Sequence, residues 1–258
     1  MIKSLLISVL AAGLALGSAA AAEPVADTQL YELRTYHAEP GKLDALLSRF
    51  RDHTCGLFAK HGMTQVGYWV PADNPDRLLI YLLAYPDRAA RDASWAAFHA
   101  DEDWKKAAAA SEAGGKLVGK VDQLFLHPTD FSPGFPEASA GDGVHLFEMR
   151  TYTATPGKLP QLHKRFRDHT LGLFKKHGMT SGSYFKLDEG QPGAADTLLY
   201  FLEHRDAGAA DESWKAFRAD PVWVAAKAAS EEAAGGSLTV PDGVKSVFLK
   251  PTDFSPLK

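Results

Sequence analysis

The sequence predicts an α+β protein of two tandem β-α-β-β-α-β domains whose sheets pair around a barrel-like interior. Three observations carry that prediction. The stretch RFRDHTCGLFAKHGMT (49–64) returns as RFRDHTLGLFKKHGMT (165–180), identical at 14 of 16 positions. Landmarks elsewhere recur in the same order: Tyr31 to Tyr36 with Phe147 to Tyr152 at an offset of 116, Trp95 with Trp214 and Trp104 with Trp223 at 119, LFLHPTDFSP with VFLKPTDFSP at 123. Within each copy the apolar spacing switches between a period of two and a period near 3.6 in the order strand, helix, strand, strand, helix, strand. A repeat this long, present twice, predicts tandem domains and not a solenoid. The growing offset puts three extra residues between Tyr184 and Tyr200 and four between Trp223 and Val247, both in predicted loops.

In the first copy, residues 29–37 read as a strand with Tyr31, Leu33 and Thr35 on one face and Glu32, Arg34 and Tyr36 on the other. Pro40-Gly41 ends it. Leu43, Leu46, Leu47, Phe50, Leu57 and Phe58 then recur at helical spacing, which predicts one amphipathic helix over 41–60. His61-Gly62 stops it, because glycine takes the left-handed conformation that follows a helix end. A strand follows at 63–70, PADNPD turns the chain, and RLLIYLLAY (77–85) is apolar on both faces, as a central strand is. Residues 87–100 are helical, and Asp101 or Asp220 caps a further short helix, with Pro221 in its first turn. The last strand covers 121–127, or 244–250 in the second copy. This order is the ferredoxin-like split motif, four antiparallel strands with both helices on one face. The bare face of each sheet needs a cover, and the other copy supplies it, giving a pseudo-dimeric α/β barrel. The predicted domains span 29–128 and 145–253, joined by a Pro-, Gly- and Ser-rich linker at 129–144.

Residues 1–22 are set apart from the fold. Lys3, the apolar run from Leu5 to Leu16, and Ala20-Ala21-Ala22 before Glu23 make a secretory signal cleaved near Ala22, so a periplasmic or secreted protein is expected. The run falls short of the roughly 20 residues of a membrane span, and no second one follows. Cys55 is the only cysteine and Leu171 replaces it in the other copy, so neither a disulfide framework nor a thiol nucleophile has support. The formal charge is −4, and the loss of Lys3 makes it more negative, which excludes a basic footprint for nucleic acid.

The face with Leu33 and Met149 is expected to meet the helices. Glu32, Arg34 and Tyr36, and likewise Glu148, Arg150 and Tyr152, then point into the space between the sheets. Charged groups enclosed there need partners or water. An internal Glu–Arg pair that fixes sheet packing meets that need. So does a polar pocket in which Arg34 or Arg150 receives an anionic group while Tyr36, Tyr68, Tyr152 and Tyr184 offer hydrogen bonds and ring surface. On a regular helix His53 lies about 60° to one side of Phe50, with Asp52 on the far face, so the adjacent Asp and His form no dyad. No G-x-S-x-G marks a hydrolase nucleophile either. His53, with its copy His169, is expected as a boundary residue hydrogen-bonded under a neighbouring loop, proton transfer being its functional alternative. His61 fits a C-terminal helix cap or a packed core histidine. His53 and His61 are eight apart, not the four of a helical zinc pair, so no metal is expected, and no cofactor. Trp95, Phe98 and Trp104 read as packing, and PTDFSP as a turn closing the last strand onto its neighbour.

The combination E-L-R-T-Y-x-x-x-P-G-K-L (Glu32 to Leu43), K-H-G-M (Lys60 to Met63), G-Y-W (Gly67 to Trp69), Y-x-D-x-x-x-R (Tyr85 to Arg91) and D-x-x-W (Asp101 to Trp104) resembles the NIPSNAP family over nearly the whole mature chain. The second copy departs from it: Gly182-Ser183-Tyr184-Phe185 stands for G-Y-W, His204 for Tyr85 and Ala210 for Arg91. A role for Tyr85 or Arg91 therefore belongs to one half only. The resemblance implies the fold of the dimeric α/β barrel proteins, a group that includes cofactor-free monooxygenases, haem enzymes and proteins without known activity. It supplies no catalytic residues to carry over. The expectation is an exported protein that binds a small anionic or aromatic ligand between its sheets. One alternative is a cofactor-independent monooxygenase or isomerase using Tyr36, Arg34 and His53 as acid, anion clamp and base. Another is an interaction module whose helix faces bind a partner or a second copy of the chain, as a homo-oligomer.

Overall fold

Both copies of E-L/M-R-T-Y form the first strand of their half, β1 (Leu30–Ala38) and β5 (Leu146–Ala154). The computed structural model describes residues 29–135 and 145–258, so the signal read at 1–22 and most of the linker lie outside the described residues. In the first half β1 leads to α1 (Leu43–Arg49), a π-helical turn (Phe50–Thr54), α2 (Cys55–Lys60), β2 (Thr64–Pro71), β3 (Leu78–Tyr85), α3 (Arg88–Ala100), α4 (Glu102–Ser111) and β4 (Val118–Pro128). The second half repeats this after β5 with α5 (Leu159–Arg165), a π turn (Phe166–Thr170), α6 (Leu171–Lys176), β6 (Thr180–Leu187), β7 (Thr197–His204), α7 (Ala207–Ala219), α8 (Pro221–Ala233) and β8 (Thr239–Pro251). Asp101 and Asp220 cap α4 and α8 as read, accepting from the backbone N–H of Asp103 and Val222.

The halves do more than face each other. Among the described residues the strands close edge to edge into one antiparallel barrel, β1-β3-β2-β8-β5-β7-β6-β4. The joins between halves are short, Trp69↔Pro251 to Pro71↔Leu249 and Leu126↔Leu187 to Pro128↔Phe185. The loop carrying the three-residue insertion helps one join: Gln191 pairs through its amide with both the N–H and the C=O of Phe125, at 2.9 and 2.7 Å.

The structure inverts the expected sheet faces. Tyr31, Leu33, Trp69, Ile80, Leu82, Phe147, Phe185, Leu199, Phe201 and Leu249 fill the barrel interior as one apolar cluster, with Met149 packed against it. Glu32, Arg34, Tyr36 and their copies instead lie under the helices. A closed barrel of this size has interior room only for its own side chains, and it is apolar ones that fill it. The helix side supplies the donors that ionised side chains require, as α3 does for Glu32. Close packing inside gives one sharp expectation. A Cβ on Gly67 would stand 2.3 Å from the Trp69 ring, so Gly67→Ala is expected to destabilise by about 1–3 kcal/mol. The urea midpoint should fall with its slope unchanged.

The repeated helical stretch contains a second departure. A π turn interrupts the predicted single helix at FRDHT in both copies. Each residue of a π turn advances by less angle than in an α-helix, so three residues beyond Phe50 the chain is still further from the inward direction. His53 and His169 are accordingly exposed, not boundary residues under a loop. Arg49, Lys60 and His61 of the repeat have structural partners. Arg49 pairs with Glu112 at 3.0 Å, and Lys60 and His61 both reach Asp101 at 2.7 Å.

Arg51 and Arg167 explain the PTDFSP tails. Thr129 to Ser132, read as the start of a linker, packs on the second half. Phe131 joins the cluster of Phe166 and Tyr184 there, Asp130 takes both hydrogen bonds of Arg167, and the N–H of Thr129 donates to the Tyr184 carbonyl at 2.9 Å. The C-terminal tail does the same on the first half: Phe254 lies 5.4 Å from the Tyr68 ring, Arg51 pairs with Asp253, and Ser255 Oγ accepts from the Tyr68 N–H at 3.0 Å. Each tail thus closes the helical core of the opposite half.

Candidate functional site

β1 runs between β3 and β4, so its outward residues sit at the centre of the helix-covered face. Glu32, with no exposed surface, accepts from Trp95 Nε1 at 2.8 Å, Arg91 Nη2 at 2.7 Å, Arg91 Nε at 3.0 Å and Arg34 Nη1 at 2.7 Å. Burial alone would raise its pKa, but Arg91, Arg34 and Trp95 hold it below the ordinary carboxylate value. Arg34 lies with its guanidinium carbon 4.4 Å from the centre of the Trp95 ring. It donates a further bond to Gln123 Oε1 at 2.8 Å and approaches the Tyr36 hydroxyl at 3.5 Å. Its Nε, though buried, has no hydrogen-bond partner among the described residues.

The second half builds the same cluster from different parts. Glu148 accepts from Trp214 Nε1 at 2.7 Å, Ser246 Oγ at 2.6 Å, His204 Nε2 at 2.9 Å and Arg150. Arg150 stacks 4.1 Å from the Trp214 ring and again has an unpartnered buried Nε. With His204 Nε2 turned to Glu148, its Nδ1 is buried without a partner among the described residues. Although burial opposes ionisation, His204, Arg150, Ser246 and Trp214 bring the Glu148 pKa down to about 2 from 4.5. The folded-state pKa is depressed, so the stabilisation is complete above pH about 4.5 and is lost as pH falls towards 2, about 3 kcal/mol in all. Acid unfolding of Glu148→Gln should show a correspondingly shallower loss of stability over that window, measured by urea midpoints at each pH.

Of the residues singled out from sequence, the structure brings together Glu32, Arg34, Tyr36 and Tyr68 in one half and Glu148, Arg150, Tyr152 and Tyr184 in the other. Tyr68 stacks on Tyr81 at 5.5 Å and donates to Gln65 at 2.7 Å; Tyr184 stacks on Tyr200 at 4.9 Å with its hydroxyl 2.8 Å from Ser181. His53 and His169 stand apart. His169 borders a shallow surface hollow with Val222, Ala225 and Ala229. Burial pushes the Cys55 thiol up to about 11, away from nucleophilic use. Sequence reasoning missed Gln123 and Ser246, singled out Arg91 and His204 only as motif positions that differ between the halves, and read Trp95 and Trp214 as packing only. A usable signal was present: two tryptophans at matching positions of a buried helix face each carry an N–H that must find an acceptor.

Chemically, each Glu is an ionised anchor, since a carboxylate held this acidic is a poor base at neutral pH. The guanidinium it fixes is the group left with bonding capacity. Gln123 and Val121, on the part of β4 left exposed, form the open edge beside Arg34 and Tyr36. Among the described residues no three His, Cys, Asp or Glu side chains gather as metal ligands, and no helix is long and apolar enough to cross a membrane.

The NIPSNAP family model matches residues 31–133 and 147–256. Among solved structures, an anthrone oxidase-like protein is 12% identical, with 91% of this chain and 97% of that one covered at a TM-score of 0.56. A candidate monooxygenase from Lactobacillus acidophilus NCFM is 10% identical, covering 87% and 94% at 0.55. A NIPSNAP domain protein from Burkholderia xenovorans is 24% identical, covering 40% of this chain and 98% of its own at 0.36. The first two likenesses show the fold alone. Among curated proteins none matches the chain.

Proposed function

The chain belongs to the NIPSNAP family, and from that premise we propose that it is an exported protein that binds a small anionic or aromatic molecule. The binding groups are the Arg–Tyr clusters between sheet and helices, not the barrel interior, which its own side chains occupy. The observation that carries this is the pair of arginines, Arg34 and Arg150. Each is fixed by a buried carboxylate and an indole face, 12% and 13% exposed, with an Nε left unpartnered among the described residues. A preorganised guanidinium at the edge of an aromatic layer suits a carboxylate or phosphate on a planar body. Export is supported by Lys3, the Leu5 to Leu16 run and Ala20 to Ala22.

Native mass spectrometry of the protein purified from its own compartment tests both parts. The expected mass begins at Glu23 and carries a retained acidic or aromatic molecule, lost in the Arg34→Gln/Arg150→Gln double variant. An unprocessed chain would contradict export, and retention unaffected by the double variant would contradict the site.

A second reading, a cofactor-independent oxygenase, is favoured by the buried Glu148–His204 pair, which only the second half has. The fold shared with a candidate monooxygenase and an anthrone oxidase-like protein is compatible with it. It requires oxygen uptake with an activated phenol that disappears in His204→Gln.

A further inference from the structure

The two halves act as controls for each other, and they differ most at one matched place. In the first half Phe125, beside Glu32 in the sheet, is covered by two cations: the guanidinium carbons of Arg88 and Arg91 stand 3.4 and 5.2 Å from its ring centre. Arg88 pairs with Asp188, which His127 also reaches at 3.0 Å. By the repeat offsets, Phe248 stands for Phe125, Ala207 for Arg88, Ala210 for Arg91, Ala72 for Asp188 and Lys250 for His127. Two arginines and the aspartate are thus replaced by three alanines, while the aromatic floor is kept and a lysine is added.

The consequence is an uncovered ring: the first half's hollow at His127 and Asp188, about 510 Å³, is not lined by Phe125. A cavity of about 460 Å³ opens over Phe248, bounded by Ala72, Leu146, Arg205, Ala207 and Lys250. Leu146 pairs in the sheet with His204, whose ring lies 6.2 Å from that of Phe248 and whose buried Nδ1 is unpartnered among the described residues. The charges around the cavity are matched except one. Arg205 pairs with Asp206 at 2.9 Å and His145 with Glu203, whereas Lys250 has no ion pair among the described residues. In the first half a planar cation lies on the ring and a carboxylate neutralises it. In the second both are missing, and what remains is a ring face and a lone ammonium group.

We propose that this cavity is the ligand site of the second half and takes an aryl carboxylate, its ring stacked on Phe248 and its carboxylate at Lys250. The proposal rests on the ligand reading above for the helix side of the sheet and the anionic aromatic class, but it seats the carboxylate at Lys250, further along β8 than the Arg150 cluster. The first half, closed over Phe125 by Arg88 and Arg91, does not bind that class.

Ligand-observed NMR of the mature chain with 2-naphthoate, and with neutral 2-naphthamide beside it, tests this. Wild type is expected to bind naphthoate. Ala207→Arg should weaken binding about tenfold or more, and the Ala72→Asp/Ala207→Arg pair should do the same while rebuilding the ion pair that the other half already tolerates. Lys250→Gln should weaken naphthoate about fivefold and leave naphthamide unchanged. Naphthoate binding that survives Ala207→Arg in the folded protein overturns the proposal. If that same binding is lost in Arg34→Gln/Arg150→Gln, the broader ligand reading stands without this cavity. No binding by wild type overturns the cavity assignment and leaves the broader reading to the native mass spectrum.

Discussion

Glu32→Ala is expected to lower stability by about 3–5 kcal/mol, because it strands two guanidinium groups and an indole N–H around a fully buried position. Neither Arg34 nor Arg91 can shed its proton to escape. The equivalent change in the second half, Glu148→Ala, strands only one guanidinium, its other donors being the His204 ring, the Trp214 indole and the Ser246 hydroxyl. The two variants should therefore differ, Glu32→Ala being the more destabilised in urea denaturation. Equal losses would mean that the carboxylates act through packing and not through charge.

Phe131→Ala should be the other large effect, about 3 kcal/mol, from deletion of a nearly buried ring in the cluster of Phe166 and Tyr184. Its location makes it diagnostic. Phe131 follows β4 of the first half, yet its contacts are on α5, β6 and the π turn of the second. Hydrogen exchange should speed up in α5 and α6, with β1 and β3 kept as slow as in wild type. Faster exchange confined to the first half would show that the tail belongs to the domain it follows in sequence.

Much of the fold was legible because it rests on local periodicity seen twice. Alternation in E-L-R-T-Y defined the strand, Leu43 to Phe58 the helical stretch, and Asp101 and Asp220 the caps. The barrel closure was foreseeable in kind, since bare sheet faces need cover, but its joins were not, because Trp69 to Pro71 and Leu249 to Pro251 pair across about 180 residues with no pattern that names the partner. Alternation also cannot say which face is inside. Assigning Glu32 and Arg34 to the interior followed from sending every apolar face to the helices; the deciding groups, Trp95 Nε1 and Arg91, lie some 60 residues further on. The π turn had no marker either, for FRDHT contains no Gly or Pro. The site was half legible. Its strand residues were found by their identity in the two copies, whereas Arg91, Gln123, His204 and Ser246 differ between copies and so left no repeat signal. That same divergence now distinguishes the halves, closing one over Phe125 and opening the other over Phe248.

The central claim is that ligand binding occurs on the helix side of the sheets and not inside the barrel. Mapping amide and methyl shift changes during a 2-naphthoate titration tests it most directly. The predicted result is a set of perturbed signals at Leu146, Ala207, Phe248 and Lys250, spreading to Arg150, with Leu33, Leu82, Leu199 and Phe201 unmoved. Perturbations concentrated on those four interior residues would contradict it.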